Sequence, residues 1–179
     1  MKRIIAATLT LLMCVTICAS LASCSSQEAH MGFQIISTDI NDFVLEAPDY
    51  WTVTSQNGYV SAKTDGYDGD DSNLSVTSFQ MMEGITTPEE YFDNAIVKSF
   101  GEANNMQIIS RDVDTKMGEE KAKKYVYTLD MYGQQYKYMM VVCAHGSNIY
   151  VFTYTSTEEF YETHELEVQY VLEYFTFKA

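Results

Sequence analysis

Basic residues are scarce in this sequence: its 179 residues hold 11 Lys and Arg against 25 Asp and Glu, a formal net charge of −14. A surface of that sign repels phosphate backbones and anionic headgroups, which excludes nucleic acid as a partner. Histidine is as sparse, and no two of His30, His145 and His164 fall at metal-ligand spacing. No G-x-S-x-G turn, phosphate-cradling loop, dinucleotide fingerprint or paired C-x-x-C occurs, so hydrolytic, nucleotide and thiol-redox chemistry have no motif to rest on.

The long apolar run is confined to the start. Lys2 and Arg3 precede Ile4 to Leu21, a stretch without charge, as the n-region and h-region of a secretory signal are built. The run is near the length at which a spanning helix becomes possible, which makes a retained anchor the competing reading. Its end decides for cleavage, because Leu21-Ala22-Ser23-Cys24 resembles the bacterial lipobox, where small residues admit a peptidase and the next thiol receives a diacylglyceryl group. Residues 1–23 are therefore expected to be a lipoprotein signal peptide. Residues 24–40 are expected to form the palmitate-type lipidated N-terminus and a polar tether merging into a first strand, and residues 41–179 one globular domain. Cys24 is the expected lipidation site, and the expected location is the extracytoplasmic face of a bacterial membrane. Cleavage removes two basic residues and no acidic one, taking the net charge to −16.

Cysteine usage agrees. Cys14 and Cys18 leave with the signal, Cys24 is modified, and Cys143 alone remains, so no intramolecular disulfide can form and the core must hold the domain. About 156 residues suffice for that.

Phe43–Ala47, Trp51–Ser55, Tyr59–Thr64 and Leu74–Met81 are short and rich in β-branched or aromatic residues, as strands are, with Pro48-Asp49 and Asn57-Gly58 as turns. Thr87-Pro88-Glu89-Glu90 reads as a helix start with Thr87 as cap, Pro88 at the first position and Glu90 closing a capping box. Phe92, Ala95, Ile96, Phe100 and Ala103 then share one face, ending near Asn104-Asn105. A second helix is expected after Ser156 as cap, with Glu159 three residues on and Phe160, His164, Val168, Val171, Leu172 and Phe175 on its stripe. Between them lies a meander, about 106–115, 121–131, 135–144 and 148–155, turned at Gly118, Gly133 and Gly146. Its last two strands are apolar on both faces, which demands a layer on each side. The expected fold class is α+β: a mostly antiparallel sheet of six to seven strands sandwiched between two helices.

Phe43-Val44-Leu45-Glu46-Ala47-Pro48 with Trp51-Thr52-Val53, the helix opened by Thr87-Pro88-Glu89-Glu90-Tyr91, the Tyr-rich meander and the helix after Asn148-Ile149-Tyr150-Val151 resemble the PsbP-like family over residues 42–178. That fold includes plant PsbP of photosystem II and a small Ran-binding nuclear-import protein of yeast. The resemblance implies a non-enzymatic α/β/α module that binds protein partners. Metal-binding histidines of plant members have no matching positions here.

The expected function is a membrane-anchored binding or assembly module for a protein or envelope partner, not an enzyme, without cofactor. The alternative is a small cation-dependent hydrolase built on loop 65–73, where Asp65, Asp68, Asp70 and Asp71, spaced by glycines, could surround Ca²⁺, although the spacing is not that of an EF-hand. A solvated acidic loop is the simpler reading. His164 is expected as a hydrogen-bonded core residue, His145 as an exposed turn residue, Cys143 as an inert thiol in the most apolar strand, and most tyrosines as core.

Overall fold

The computed structural model describes residues 28–56 and 59–178. The signal segment, Cys24 and the Asn57-Gly58 turn lie outside the described residues.

Among the described residues, eleven strands and two longer helices, with one 3-10 turn at Tyr67–Gly69, are arranged in three layers. The central sheet has seven strands in the order β4–β5–β6–β10–β9–β8–β7, every pair antiparallel. These are β4 (Thr52–Gln56), β5 (Tyr59–Lys63), β6 (Asn73–Gln80), β7 (Gln107–Met117), β8 (Glu120–Met131), β9 (Gln134–His145) and β10 (Asn148–Thr157). The period-2 alternation of the two central strands decides what each face buries. Met139, Val141 and Cys143 of β9 join Tyr150, Phe152 and Tyr154 of β10 in one core, under α2 (Glu158–Tyr174). Met140, Val142, Ile149 and Val151 point the other way, into a second core with Phe92 and Ile96 of α1.

Helix α1 spans 88–100. Thr87 caps it by accepting from the Glu90 N–H at 3.2 Å, and Pro88 occupies the first turn, where its missing donor costs nothing. The Glu90 carboxylate accepts chiefly from the hydroxyl and N–H of Thr86, one residue before the cap, with the Thr87 backbone N–H of the expected box as a lesser partner. From Phe92 to Val97 the helix is π-wound, with the Lys98 N–H bonded to the Asp93 carbonyl, and it stops at Phe100, short of the expected Asn104. Phe92 is fully buried and stacks on Tyr125 at 4.0 Å, while Phe100 is exposed.

Helix α2 is capped differently from the sequence expectation. Ser156 is fully buried and shares a hydrogen bond with the Ser72 hydroxyl at 2.8 Å, so it fastens β10 to the loop before β6; Thr157 is the cap residue. Tyr161, His164, Val168 and Val171 form the buried stripe.

The segment before residue 41 is packed onto the domain, which shortens the expected tether at its C-terminal end. β1 (Phe33–Ile35) pairs with β3 (Glu46–Pro48), and Ile36 is buried. β2 (Phe43–Val44) pairs with β11 (Thr176–Phe177), so Phe43–Pro48 stands outside the main sheet rather than opening it. His30 stacks on Tyr174 at 3.6 Å, and its backbone N–H donates to the fully buried Glu46 carboxylate at 3.1 Å, which also meets the His30 ring at Nδ1. No helix among the described residues is long and apolar enough to cross a membrane.

Candidate functional site

The two helices cover the sheet unequally. Thirteen residues of α1 amount to about 20 Å of helix, whereas a twelve-residue strand runs about 40 Å. The α1 face is therefore left open at the end where β8 turns into β9. Tyr136 and Tyr138 lie half-buried there; Tyr138 stacks on Tyr127 at 5.1 Å, in register with Thr155 and then Asn73 across the sheet. Burial pushes the Tyr138 phenol up, with Tyr136 adding, so it stays neutral at ordinary pH.

The turn at this end carries backbone strain. Tyr132 (φ 54°) and Gly133 (φ 83°) both sit in the left-handed region, the pattern of a two-residue hairpin turn that favours Asn, Asp or Gly at its first position. A tyrosine there is disfavoured, and this one is 100% exposed. Tyr132, Tyr136 and Tyr138 line a shallow hollow of about 290 Å³ whose polar rim is Asp71, Asn73 and Thr155. A second hollow, about 360 Å³, lies round the same hairpin between Asp68, Gln134 and the α2 start at Glu158 and Glu159. In its lining the Thr157 hydroxyl is buried without a partner.

The acidic loop forms the other wall, and its carboxylates do not converge. Asp65 accepts from the Tyr67 N–H at 2.9 Å and Asp70 from the Ser72 N–H at 3.0 Å, local bonds that shape the loop. Asp70 also meets His164 Nε2 at 2.7 Å, and Glu167 meets His164 Nδ1 at 3.0 Å. Tyr50 donates to Glu167 over the same ring. Burial pushes the Asp70 carboxyl up, but the Ser72 hydrogen bonds and His164 beside it outweigh this and hold it below the usual carboxylate range. Asp68 and Asp71 are exposed. Among the described residues no three His, Cys, Asp or Glu side chains could hold a metal ion, which removes the geometry that the Asp65, Asp68, Asp70 and Asp71 reading required. Sequence reading missed the Asp70–His164 link because the partners are 94 residues apart.

The remaining candidates are placed as follows. His164 is buried and hydrogen-bonded, as expected. His145 is not a plain turn residue: it stacks on Phe177 at 3.9 Å and meets Glu120 at 2.9 Å. Cys143 is fully buried beside the Met117 sulfur, and burial, with Glu120 adding, pushes its thiol up to about 12, so nucleophilic thiolate is absent at ordinary pH. Five tyrosines are buried, at 125, 127, 150, 154 and 161, fewer than expected; Tyr136 and Tyr138 are left partly uncovered beyond the end of the short α1. Elsewhere, an apolar groove of about 650 Å³ runs between the end of α1 and edge strand β7, past Val97, Met106 and Ile108.

No protein-family model matches the sequence, and no curated protein matches it. Solved structures do. Cyanobacterial PsbP from Synechocystis superposes with a TM-score of 0.58 at 14% identity, covering 88% of this chain and 98% of that one. A protein of unknown function from Pseudomonas aeruginosa gives 0.55 at 14%, covering 79% and 94%. LpqN of Mycobacterium tuberculosis, involved in cell envelope biogenesis, gives 0.54 at 13%, covering 76% and 83%. The fold is PsbP-like.

Proposed function

We propose that this chain is a lipid-anchored, non-enzymatic binding module on the extracytoplasmic face of a bacterial membrane, holding its tyrosine-lined end away from the bilayer. One observation carries the reading: the two ends of α2 are different. At its C-terminal end Tyr174 receives His30, where the chain leaves towards Cys24. At its N-terminal end, about 25 Å along a 17-residue helix, Glu158 and Glu159 stand beside the hairpin of Tyr132. Five residues lie between Cys24 and His30, six steps that reach at most about 22 Å, so the anchor holds the first end near the membrane and turns the second outward.

The chemistry of the outward end supports binding over catalysis. Asp65 and Asp70 are committed to local hydrogen bonds, and the ring of His164 is held between two carboxylates under α2, so these three groups are not available to the hollow as a base. The surrounding negative charge also keeps the domain off anionic headgroups on its tether. A fold shared with an envelope-biogenesis protein and with a PsbP is compatible with a partner protein or envelope component.

Replacing Cys24 by alanine tests the anchor. Two acyl chains give stable membrane attachment at about 0.8 kcal/mol per buried CH₂, so the variant is expected to lose its lipid mass and leave the membrane fraction once its signal is removed. A cleaved Cys24→Ala protein that still sediments with membranes would defeat the reading.

A further inference from the structure

We propose that the tyrosine-lined hollow at the β8–β9 turn takes a lysine or arginine side chain from a basic segment of a partner protein, an assignment that rests on the outward-facing end described above. Tyr132 is the first ground. A fully exposed aromatic ring in a left-handed turn position is costly twice over, in backbone strain and in uncovered apolar surface, and strain of this kind collects where a surface binds. The second is the lining: Tyr132, Tyr136 and Tyr138 supply ring faces of negative potential, while Asp71, Asn73 and Thr155 supply acceptors at the rim.

Charge selects the occupant. Asp68, Asp71, Glu158 and Glu159 surround the two hollows, in a chain of net charge −14. The basic residues nearest in the sheet are Lys63, beside Asn73 at the far side of the row, and Lys137, whose ammonium lies 4.0 Å from the Tyr161 ring on the α2 face. Such a surface attracts a cation at long range, and the rings hold it at short range. A neutral glycan could use the same rings and rim but would gain nothing from the charge.

The test titrates fluorescein-labelled octalysine into the lipidated full chain in neutral detergent micelles. Asp68→Asn with Asp71→Asn is compared with Glu83→Gln with Glu119→Gln, an equal loss of charge on exposed loops beyond the opposite ends of the strands. Tyr132→Asn removes the ring while installing a residue the turn favours, so folding is kept. The expected result is at least a tenfold weaker affinity for the Asp pair, less than a threefold change for the Glu pair, and at least a fivefold loss for Tyr132→Asn with the salt dependence unchanged, because that substitution alters no charge. Equal effects of the two acidic pairs, or indifference to Tyr132→Asn, would overturn the proposal, as would absence of octalysine binding. If a neutral chitohexaose binds instead and loses affinity in Tyr132→Asn, the cationic occupant is wrong while the binding end stands; a Cys24→Ala result against anchoring would strike the functional reading alone.

Discussion

Gly118→Ala is expected to destabilise the domain by roughly 3 kcal/mol or more, lowering its melting temperature by about 6–12 °C. Gly118 opens the β7–β8 turn at φ +59°, and its N–H donates to the Leu172 carbonyl at 3.3 Å, so this turn lies against the end of α2. A Cβ there would stand 2.2 Å from the Phe175 carbonyl oxygen. That obstacle is backbone, attached to a fully buried Phe175, and it cannot swing aside as a side chain would. The end of α2 would have to lift, and with it the Tyr174 ring on which His30 stacks. Gly133→Ala is the control. Its φ is +83° but a Cβ meets nothing within 4 Å, so only the conformational cost of about 1 kcal/mol applies. Equal effects of the two substitutions would mean that α2 does not press on the turn.

Asp70→Asn is expected to cost about 2 kcal/mol near pH 7, because it removes the carboxylate that accepts from the Ser72 N–H and meets His164 Nε2 in the loop–helix contact, where a hydrogen bond to a charged group contributes about 1.5–3 kcal/mol and Asp70 keeps some solvent. The pH dependence follows from the direction of its shift. The folded carboxyl is more acidic than the unfolded one, whose value is about 3.9, so its stabilisation is complete above that value and is lost as pH falls through the lower folded value. The stability gap between wild type and Asp70→Asn, read from urea unfolding, should therefore be full at pH 6 and narrow as pH falls below about 3.9, the unfolded value. A gap that is the same at pH 6 and pH 2.5 would show that the Asp70 charge contributes nothing.

The layers of this fold could be read from β9 and β10, because strict alternation assigns Met139, Val141 and Cys143 to one core and Met140 and Val142 to the other before any coordinates are known. The Thr87-Pro88 helix start is local chemistry and was equally legible. What could not be read depends on partners distant in sequence. Nothing near Ser156 says that its hydroxyl is claimed by Ser72 rather than by the helix, and nothing near His30 announces Tyr174. The acidic loop was visible as a cluster, but a cluster of carboxylates becomes a cation site only if the backbone aims them inward; here Asp65 and Asp70 are spent on the loop itself. The hollow was missed for a geometric reason: the tyrosine periodicity predicts burial, and only the shortness of α1 leaves Tyr136 and Tyr138 partly uncovered.

The two-ended arrangement can be measured directly on lipid vesicles. A cysteine introduced at exposed Met31 or at Tyr132 can be labelled with a fluorophore while Cys143, fully buried with its thiol pushed up to about 12, stays unreactive. With the lipidated protein reconstituted and a quencher carried on the lipid headgroups, the label at residue 31 is predicted to be strongly quenched and the label at residue 132 to be nearly unquenched. Equal quenching at the two positions, or stronger quenching at residue 132, would contradict a domain anchored at one end and presenting the tyrosine-lined hollow at the other.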